Sequence, residues 1–208
     1  ITEILDLKTE NLHDSIGRTV TKVGNLQIPT RWSSSGPDRE AAWPEPGDPE
    51  WSGGKILEND KQKETTATSE KVIKTIRTIG GSTGWFAFNW LWAMRGFVDK
   101  LVGGVGLRRG RRHPTELRVG DTVDFFNVVR VTENSLTLLA EMKIPGHAWL
   151  EWSVKPTQKG SIIRQRALFV PRGVLGRLYW FVLLAPHALI FGRMLSKIVD
   201  TSEINEKK

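Results

Sequence analysis

The chain has 208 residues, no cysteine and a formal net charge of +7. This length accommodates one domain of ordinary size with an extension, and 39% hydrophobic with 25% charged residues is a globular composition. The lack of cysteine excludes disulfides, thiolate zinc sites and a cysteine nucleophile. It is also consistent with a reducing compartment, and we expect a cytoplasmic location.

The charge is distributed unevenly along the chain. Residues 1–68 carry 8 basic and 12 acidic residues, whereas residues 69–208 carry 22 and 11. The basic excess of residues 69–208 can bind nucleic acid, an anionic membrane, or an anionic ligand or partner, or it can form a solvated face with no such role. Nucleic acid is disfavoured because the aromatic residues lie within apolar patterns and do not alternate with basic residues along one groove.

The N-terminal part predicts little regular structure. Residue 1 is isoleucine and no signal-peptide pattern follows, so we expect a piece of a longer polypeptide. Residues 1–16 have the pattern of a short amphipathic helix. Glycine and proline then punctuate residues 17–54 too densely for a long helix or strand, and tryptophans within that stretch predict that it is anchored on a folded surface.

Regular elements are predicted from residue 55 onwards. Residues 55–66 fit a strand, and Thr68 offers a cap for a helix in which apolar residues recur at helical spacing up to residue 79. A second helix is predicted over 88–101, ended by a glycine-rich stretch.

A period of two then marks four strands, over residues 122–131, 136–144, 148–154 and 161–170. Their short connections predict an antiparallel meander.

The last element, residues 174–199, is a helix that is apolar on nearly all sides. Pro186 is expected to kink or split it. Only 15 residues separate Arg177 from Arg193, fewer than the roughly 20 that a membrane span needs, so a helix laid across a sheet is favoured. The sum is an α+β fold in which a curved antiparallel sheet grips a long C-terminal helix and leaves a cavity between them.

Several motifs between residues 54 and 199 resemble those of the DUF2867 family. They are Gly84-Trp85-Phe86 with Trp90-Leu91-Trp92, the run from Asp99 to Pro114, Leu117-Arg118-Val119-Gly120-Asp121, Ala140–Gly146, Ala148–Glu151 and Pro171–Trp180.

The resemblance implies a START-like, polyketide-cyclase-type helix-grip domain over residues 55–208. It also implies that residues 1–54 are the tail and linker of a preceding atypical short-chain reductase, NmrA-like or epimerase-like, with a Rossmann fold. NAD(P) is then expected only in that preceding domain, and no cofactor is expected within this chain. Accordingly, Gly104 and Gly106 have the spacing of the first two glycines of a dinucleotide-binding motif, but the third glycine is absent.

The densest charge is a glycine-led loop with four arginines, Arg108, Arg109, Arg111 and Arg112. Guanidinium groups bind phosphate or carboxylate through paired hydrogen bonds. The loop therefore predicts an anion or partner contact, with a solvated loop as the alternative.

A second candidate site is a polar set on the strands. Asp124, Glu141, Glu151 and Gln165 fall on four adjacent predicted strands, and His147 shares a face with Glu151. If that face lines the cavity, Glu151, His147 and Glu141 are candidates for general acid and base; the alternative is cross-strand ion pairing on a solvated face. The hypothetical cavity lining is Trp90, Phe126, Glu141, Trp149, Glu151, Gln165 and Trp180.

The four histidines are scattered without ligand spacing, so no metal site is predicted. His187 is expected to be a hydrogen-bonded core residue. The favoured function is binding of a small, largely apolar molecule, in cis to the reductase-like domain. Two alternatives stay open: an interaction or membrane-surface module acting through the arginine loop, and a stand-alone cyclase or isomerase.

Overall fold

The computed structural model describes residues 11–25, 27, 56–106 and 111–206, in two compact units, Ile1–Trp32 and Ser33–Lys208. In the first unit, helix α1 spans Leu12–Gly24. The prediction of irregular structure from residue 17 is wrong for this stretch, because the helix continues through Gly17. Residues 1–10 of the helix predicted over residues 1–16, and the tryptophans at 32, 43 and 51, lie outside the described residues.

The second unit contains a six-stranded antiparallel sheet with the order β1-β6-β5-β4-β3-β2. The strands are β1 (Leu57–Thr65), β2 (Thr122–Val123), β3 (Phe126–Thr132), β4 (Ser135–Ala140), β5 (Gly146–Thr157) and β6 (Gly160–Pro171). The predicted meander is confirmed, and the first strand pairs with the last along its whole length.

Three helices accompany the sheet: α2 (Ser69–Ile76), α3 (Asn89–Leu101) and α4 (Gly173–Glu206). All three were predicted from apolar spacing. Thr68 is the N-cap of α2, but its hydroxyl makes no capping bond and instead donates to Glu206 Oε2 (3.1 Å). Helix α4 is not split at Pro186. Proline has no backbone N–H to donate to the Val182 carbonyl, but both residues are exposed, so water can hydrogen-bond to that carbonyl instead.

The predicted strand over residues 122–131 is interrupted between β2 and β3. Asp124 adopts a φ of 54°, a left-handed conformation in which aspartate is one of the better tolerated residues. Its carboxylate accepts a hydrogen bond from the Trp85 indole N–H at 2.8 Å. The turn therefore links the strand break to the aromatic segment before α3.

One face of the sheet packs against α2 and the second half of α4. Leu138, Leu150 and Trp152 point to this face and are buried, which confirms the apolar alternation predicted for β4 and β5. Met194 and Ile198 of α4 are fully buried against them. The opposite face carries a smaller buried cluster of Leu139, Trp149 and Leu168.

Candidate functional site

A cavity of about 340 Å³ lies between α3, the sheet and the first half of α4. From the sheet it is bordered by apolar side chains that include Ala148, Leu150, Ala167 and Phe169. These residues alternate along β5 and β6 with outward-facing ones, so they belong to the core face. The sheet thus presents its apolar face both to the core and to the cavity.

Aromatic side chains separate α4 from the sheet and from α3 along the cavity. Trp180 of α4 stacks on Phe169 with ring centroids 5.7 Å apart and planes within 4° of parallel. Trp92 of α3 approaches Phe191 of α4 at 6.5 Å. Because these rings act as spacers, the first half of α4 cannot collapse onto the sheet, and the space beneath it stays open.

His187 is one of few polar side chains at this cavity. Its ring packs against Trp180 at 5.9 Å and Phe191 at 5.1 Å, and burial lowers the pKa of the imidazole to about 4. His187 is therefore neutral near pH 7. Its Nδ1 atom is buried and has no hydrogen-bond partner within the described part of the chain, so the expectation of a hydrogen-bonded core histidine is wrong.

A buried carboxylate fixes the end of α3 beside the cavity. Asp99 is fully buried; its Oδ1 accepts from the Lys143 backbone N–H (2.8 Å) and its Oδ2 from that of Gly106 (2.9 Å). Arg95, which borders the cavity, places Nη1 3.6 Å from the same carboxylate. A Cβ at Gly104 would lie 2.2 Å from Asp99 Oδ2, so only glycine fits beside this carboxylate. The close approach at Gly104 therefore serves a contact within the protein and not a phosphate site.

A family model described as "Protein of unknown function (DUF2867)" matches residues 51–194. The chain belongs to this family. The comparison with curated proteins finds no match.

Three solved structures illustrate what this DUF2867 chain is similar to. The di-domain ARO/CYC StfQ from the steffimycin biosynthetic pathway has 8% identity and a TM-score of 0.45, covering 74% of this chain and 52% of StfQ. Protein MLL2253 from Mesorhizobium loti has 10% identity and a TM-score of 0.41, covering 71% and 97%. Truncated norcoclaurine synthase from Thalictrum flavum has 10% identity and a TM-score of 0.42, covering 75% and 97%. The chain thus spans about half the length of StfQ.

The polar residues His147 and Glu151 of β5 in this DUF2867 domain do not line the cavity. His147 and Glu151 alternate with Ala148 and Leu150 and point to the opposite side of the sheet. Glu151 Oε2 accepts a hydrogen bond from Arg166 Nη2 on the neighbouring strand at 2.5 Å. The cross-strand pairing alternative is therefore what the structure contains, and the prediction of a general acid–base pair in the cavity is corrected.

Of the predicted lining residues, Phe126 and Trp180 border the cavity from the core side. Trp149 also touches its edge, although its side chain belongs to the cluster on the opposite face of the sheet. Trp90, Glu141, Glu151 and Gln165 do not border it, and for them the lining prediction is wrong.

Two of these residues show why. Trp90 is 65% exposed, because residues two apart on a helix differ by about 200° and Trp92 takes the inward position. Gln165 lies in the core, where its Oε1 accepts from the Trp152 indole (2.9 Å) and its Nε2 donates to the Phe191 carbonyl (3.2 Å).

Half of the arginine loop has internal roles. Arg112 forms a buried ion pair with Asp121. Arg111 donates to the backbone carbonyls of Ile79, Arg77 (2.6 Å) and His113 (2.9 Å), and burial lowers its pKa to about 10. The predicted anion or partner contact is therefore wrong for Arg111 and Arg112, while Arg108 and Arg109 lie outside the described residues.

Arg95 and Asp99 are not among the residues predicted from the sequence, and His187 was predicted to have a hydrogen-bond partner that the described part of the chain does not supply. The sequence holds one signal for Asp99, since it is the last acidic residue before the glycine-rich stretch, but only the fold brings Lys143 to it. Among the described residues, no group of three acidic or histidine side chains could hold a metal ion.

Proposed function

We propose that this DUF2867 domain binds a small, largely apolar molecule in the cavity beneath the first half of α4. The observation that supports the proposal is a buried, unpartnered His187 Nδ1 in a wall otherwise made almost wholly of apolar side chains. A buried polar atom without a partner costs about 1–3 kcal/mol. Because Nδ1 is buried, a ligand with one hydroxyl or carbonyl group would remove that cost once the imidazole turned this atom towards the cavity.

The cavity dimensions agree with this class of ligand. Its volume of about 340 Å³ falls at the lower end of the roughly 300–1,000 Å³ typical of small-molecule sites. Flat aromatic walls at Trp180, Phe169 and Trp92 favour a flat, unsaturated molecule that can stack on them.

The role of the domain would then be to hold or shield such a molecule. If the NAD(P)-binding reductase-like domain predicted from the sequence precedes it, the bound molecule would be a substrate or product of that domain. This partner and its cofactor stay predictions.

Filling the cavity tests the proposal. Ala148→Trp inserts a large side chain into it, whereas Ser153→Trp adds the same side chain on the other face of β5. Fluorescence titration with anilinonaphthalene sulfonate should show loss of binding for the first variant and near-normal binding for the second. Equal binding by both variants would place the probe elsewhere and overturn the proposal.

A matched ligand pair tests His187. Naphthol and methylnaphthalene have nearly the same shape, but only naphthol can hydrogen-bond to the imidazole. Wild type should prefer naphthol by about fivefold to tenfold, as one hydrogen bond of about 1 kcal/mol implies, and His187→Phe should abolish the preference. If His187→Phe still preferred naphthol to the same extent, His187 would not be the residue that hydrogen-bonds to the ligand.

A further inference from the structure

Helix α3 presents a stripe of large apolar side chains to solvent. Trp90, Met94, Phe97 and Leu101 are spaced by three or four residues, so they share one side of the helix. Their exposed fractions are 65%, 52%, 62% and 71%. The same helix supplies Trp92 to the cavity, so the stripe lies on the rim of the candidate site.

Helix α4 presents a second stripe along its first half. Val174, Leu178, Phe181 and Val182 are exposed by 80%, 59%, 64% and 66%. Helix neighbours of these residues, Trp180 and Leu183, border the cavity. We call the two stripes together the exposed rim: Trp90, Met94, Phe97 and Leu101 of α3 with Val174, Leu178, Phe181 and Val182 of α4.

An apolar surface of this kind is unusual on an isolated domain. Single exposed apolar residues are ordinary, but contiguous sets mark binding surfaces. Helix α4 is also long and apolar enough to cross a membrane, judged by length and composition alone. Its second half, however, is built into the core through Met194, Leu195 and Ile198, so the exposed half is held against the domain and can lie along a bilayer surface instead of crossing it.

The two helix segments that form the exposed rim carry an excess of basic residues. Lys100, Lys143, Arg172 and Arg177 are exposed. Within residues 89–106 and 172–199, the one acidic residue is Asp99, which is fully buried. Apolar side chains bordered by basic ones suit a bilayer interface, where the first enter the acyl boundary and the second meet anionic headgroups.

We propose that the exposed rim docks on the surface of an anionic lipid bilayer. A second copy of the chain suits this surface less well, because a two-fold interface would bring Arg172 and Arg177 of one copy towards the same surface of the other. Docking also places the cavity between the two helices that contact the lipid, so an apolar molecule could enter without crossing water. The docking itself does not depend on ligand binding in the cavity.

Vesicle flotation of the 208-residue chain tests the proposal, with phosphatidylcholine vesicles compared to vesicles that also contain phosphatidylglycerol. Wild type should float with the anionic vesicles and lose most of that binding at high salt. The double variant Phe97→Ser, Phe181→Ser should lose binding to the anionic vesicles. Val119→Ser, which replaces another exposed apolar residue (64%), is the matched control and should bind like wild type.

The charge contribution is tested separately. Arg172→Gln with Arg177→Gln should reduce partition onto anionic vesicles by roughly tenfold to thirtyfold, at about 1 kcal/mol for each basic residue. The control, Lys155→Gln with Lys159→Gln, removes two exposed lysines around the turn after β5 and should have little effect.

Two results would overturn the proposal. One is failure of wild type to float with either composition. The other is a concentration-dependent dimer in light scattering that Phe97→Ser with Phe181→Ser converts to monomer, which would make the exposed rim an interface between copies. Circular dichroism of each variant shows that a loss of flotation is not a loss of folding.

Discussion

Arg112 and Asp121 form a buried, two-pronged ion pair, with Nε 2.8 Å from Oδ1 and Nη2 2.9 Å from Oδ2. Both residues are 5% exposed. The Arg118 backbone N–H donates to the same carboxylate at 2.9 Å, so the pair organises the segment that leads into β2. The Asp121 carboxylate also raises the pKa of the Arg112 guanidinium through this hydrogen bond.

Arg112→Met should destabilise the fold by roughly 3–5 kcal/mol, because it leaves the Asp121 carboxylate buried without its partner. Arg118→Met is the matched control, since the Arg118 side chain is exposed and only its backbone contacts Asp121. Urea denaturation measures both free energies of unfolding. If the two variants were equally stable, the ion pair would contribute nothing beyond surface charge.

Gln165→Leu should cost about 1–3 kcal/mol, because the buried Trp152 indole N–H loses its acceptor and the Phe191 carbonyl loses a donor. Gln62→Leu, at an exposed position on the neighbouring strand β1, should change the free energy of unfolding by about 0.5 kcal/mol or less. Near-UV circular dichroism should report the altered Trp152 environment in the first variant only. A stable Gln165→Leu protein would mean that leucine packing offsets the lost hydrogen bonds.

The fold was largely predictable because its elements follow simple periods. Alternation along β5 indicated the strand and its two faces, and the period of α4 indicated a helix. Periodicity alone, however, does not say which face meets the helices. Ala148 and Glu151 lie on opposite faces of one strand. The apolar face packs against the helices because burying the Glu151 carboxylate there would cost far more free energy than pairing it with Arg166 on the opposite face.

The candidate site was harder to predict because it depends on contacts between distant parts of the chain. Asp99 meets Lys143 and Gly106 only after α3 is placed beside the turn before β5. The arginine loop looked like a single anion site, but Arg111 reaches back to carbonyls after α2. A charge cluster in sequence does not reveal which guanidinium groups the fold itself uses.

Two substitutions of Asp124 separate the effect of its carboxylate charge on stability from the effect of its left-handed backbone conformation. Burial raises the pKa of its carboxyl group, although the hydrogen bond from Trp85 opposes this shift. A raised folded-state pKa means that ionised Asp124 opposes folding, and this cost appears as the pH rises through the folded pKa.

Asp124→Asn should therefore be at least as stable as wild type near neutral pH, since asparagine tolerates the φ of 54° and its amide oxygen can accept from Trp85. Asp124→Ala should lose roughly 2–4 kcal/mol through strain and the unpaired indole. Thermal unfolding of both variants measures the difference. Equal losses would show that the carboxylate charge itself is needed.

His187 predicts a specific dependence of stability on pH. Its folded-state pKa of about 4 lies below the ordinary value of 6.5 because of burial. Between these values the unfolded chain binds the proton and the folded chain does not. The free energy of unfolding should therefore fall as the pH is lowered through this window.

The loss attributable to His187 should be on the order of 3 kcal/mol near the lower end of the window, since one pKa unit corresponds to about 1.4 kcal/mol and the pKa is lowered from 6.5 to about 4. Carboxyl groups also titrate there, so the measurement is the difference between wild type and His187→Phe in urea denaturation across the window. The two proteins should differ least near pH 7, and the variant should gain relative stability as the pH falls. Parallel curves would show that His187 titrates as in the unfolded chain, which would contradict its burial in the cavity wall.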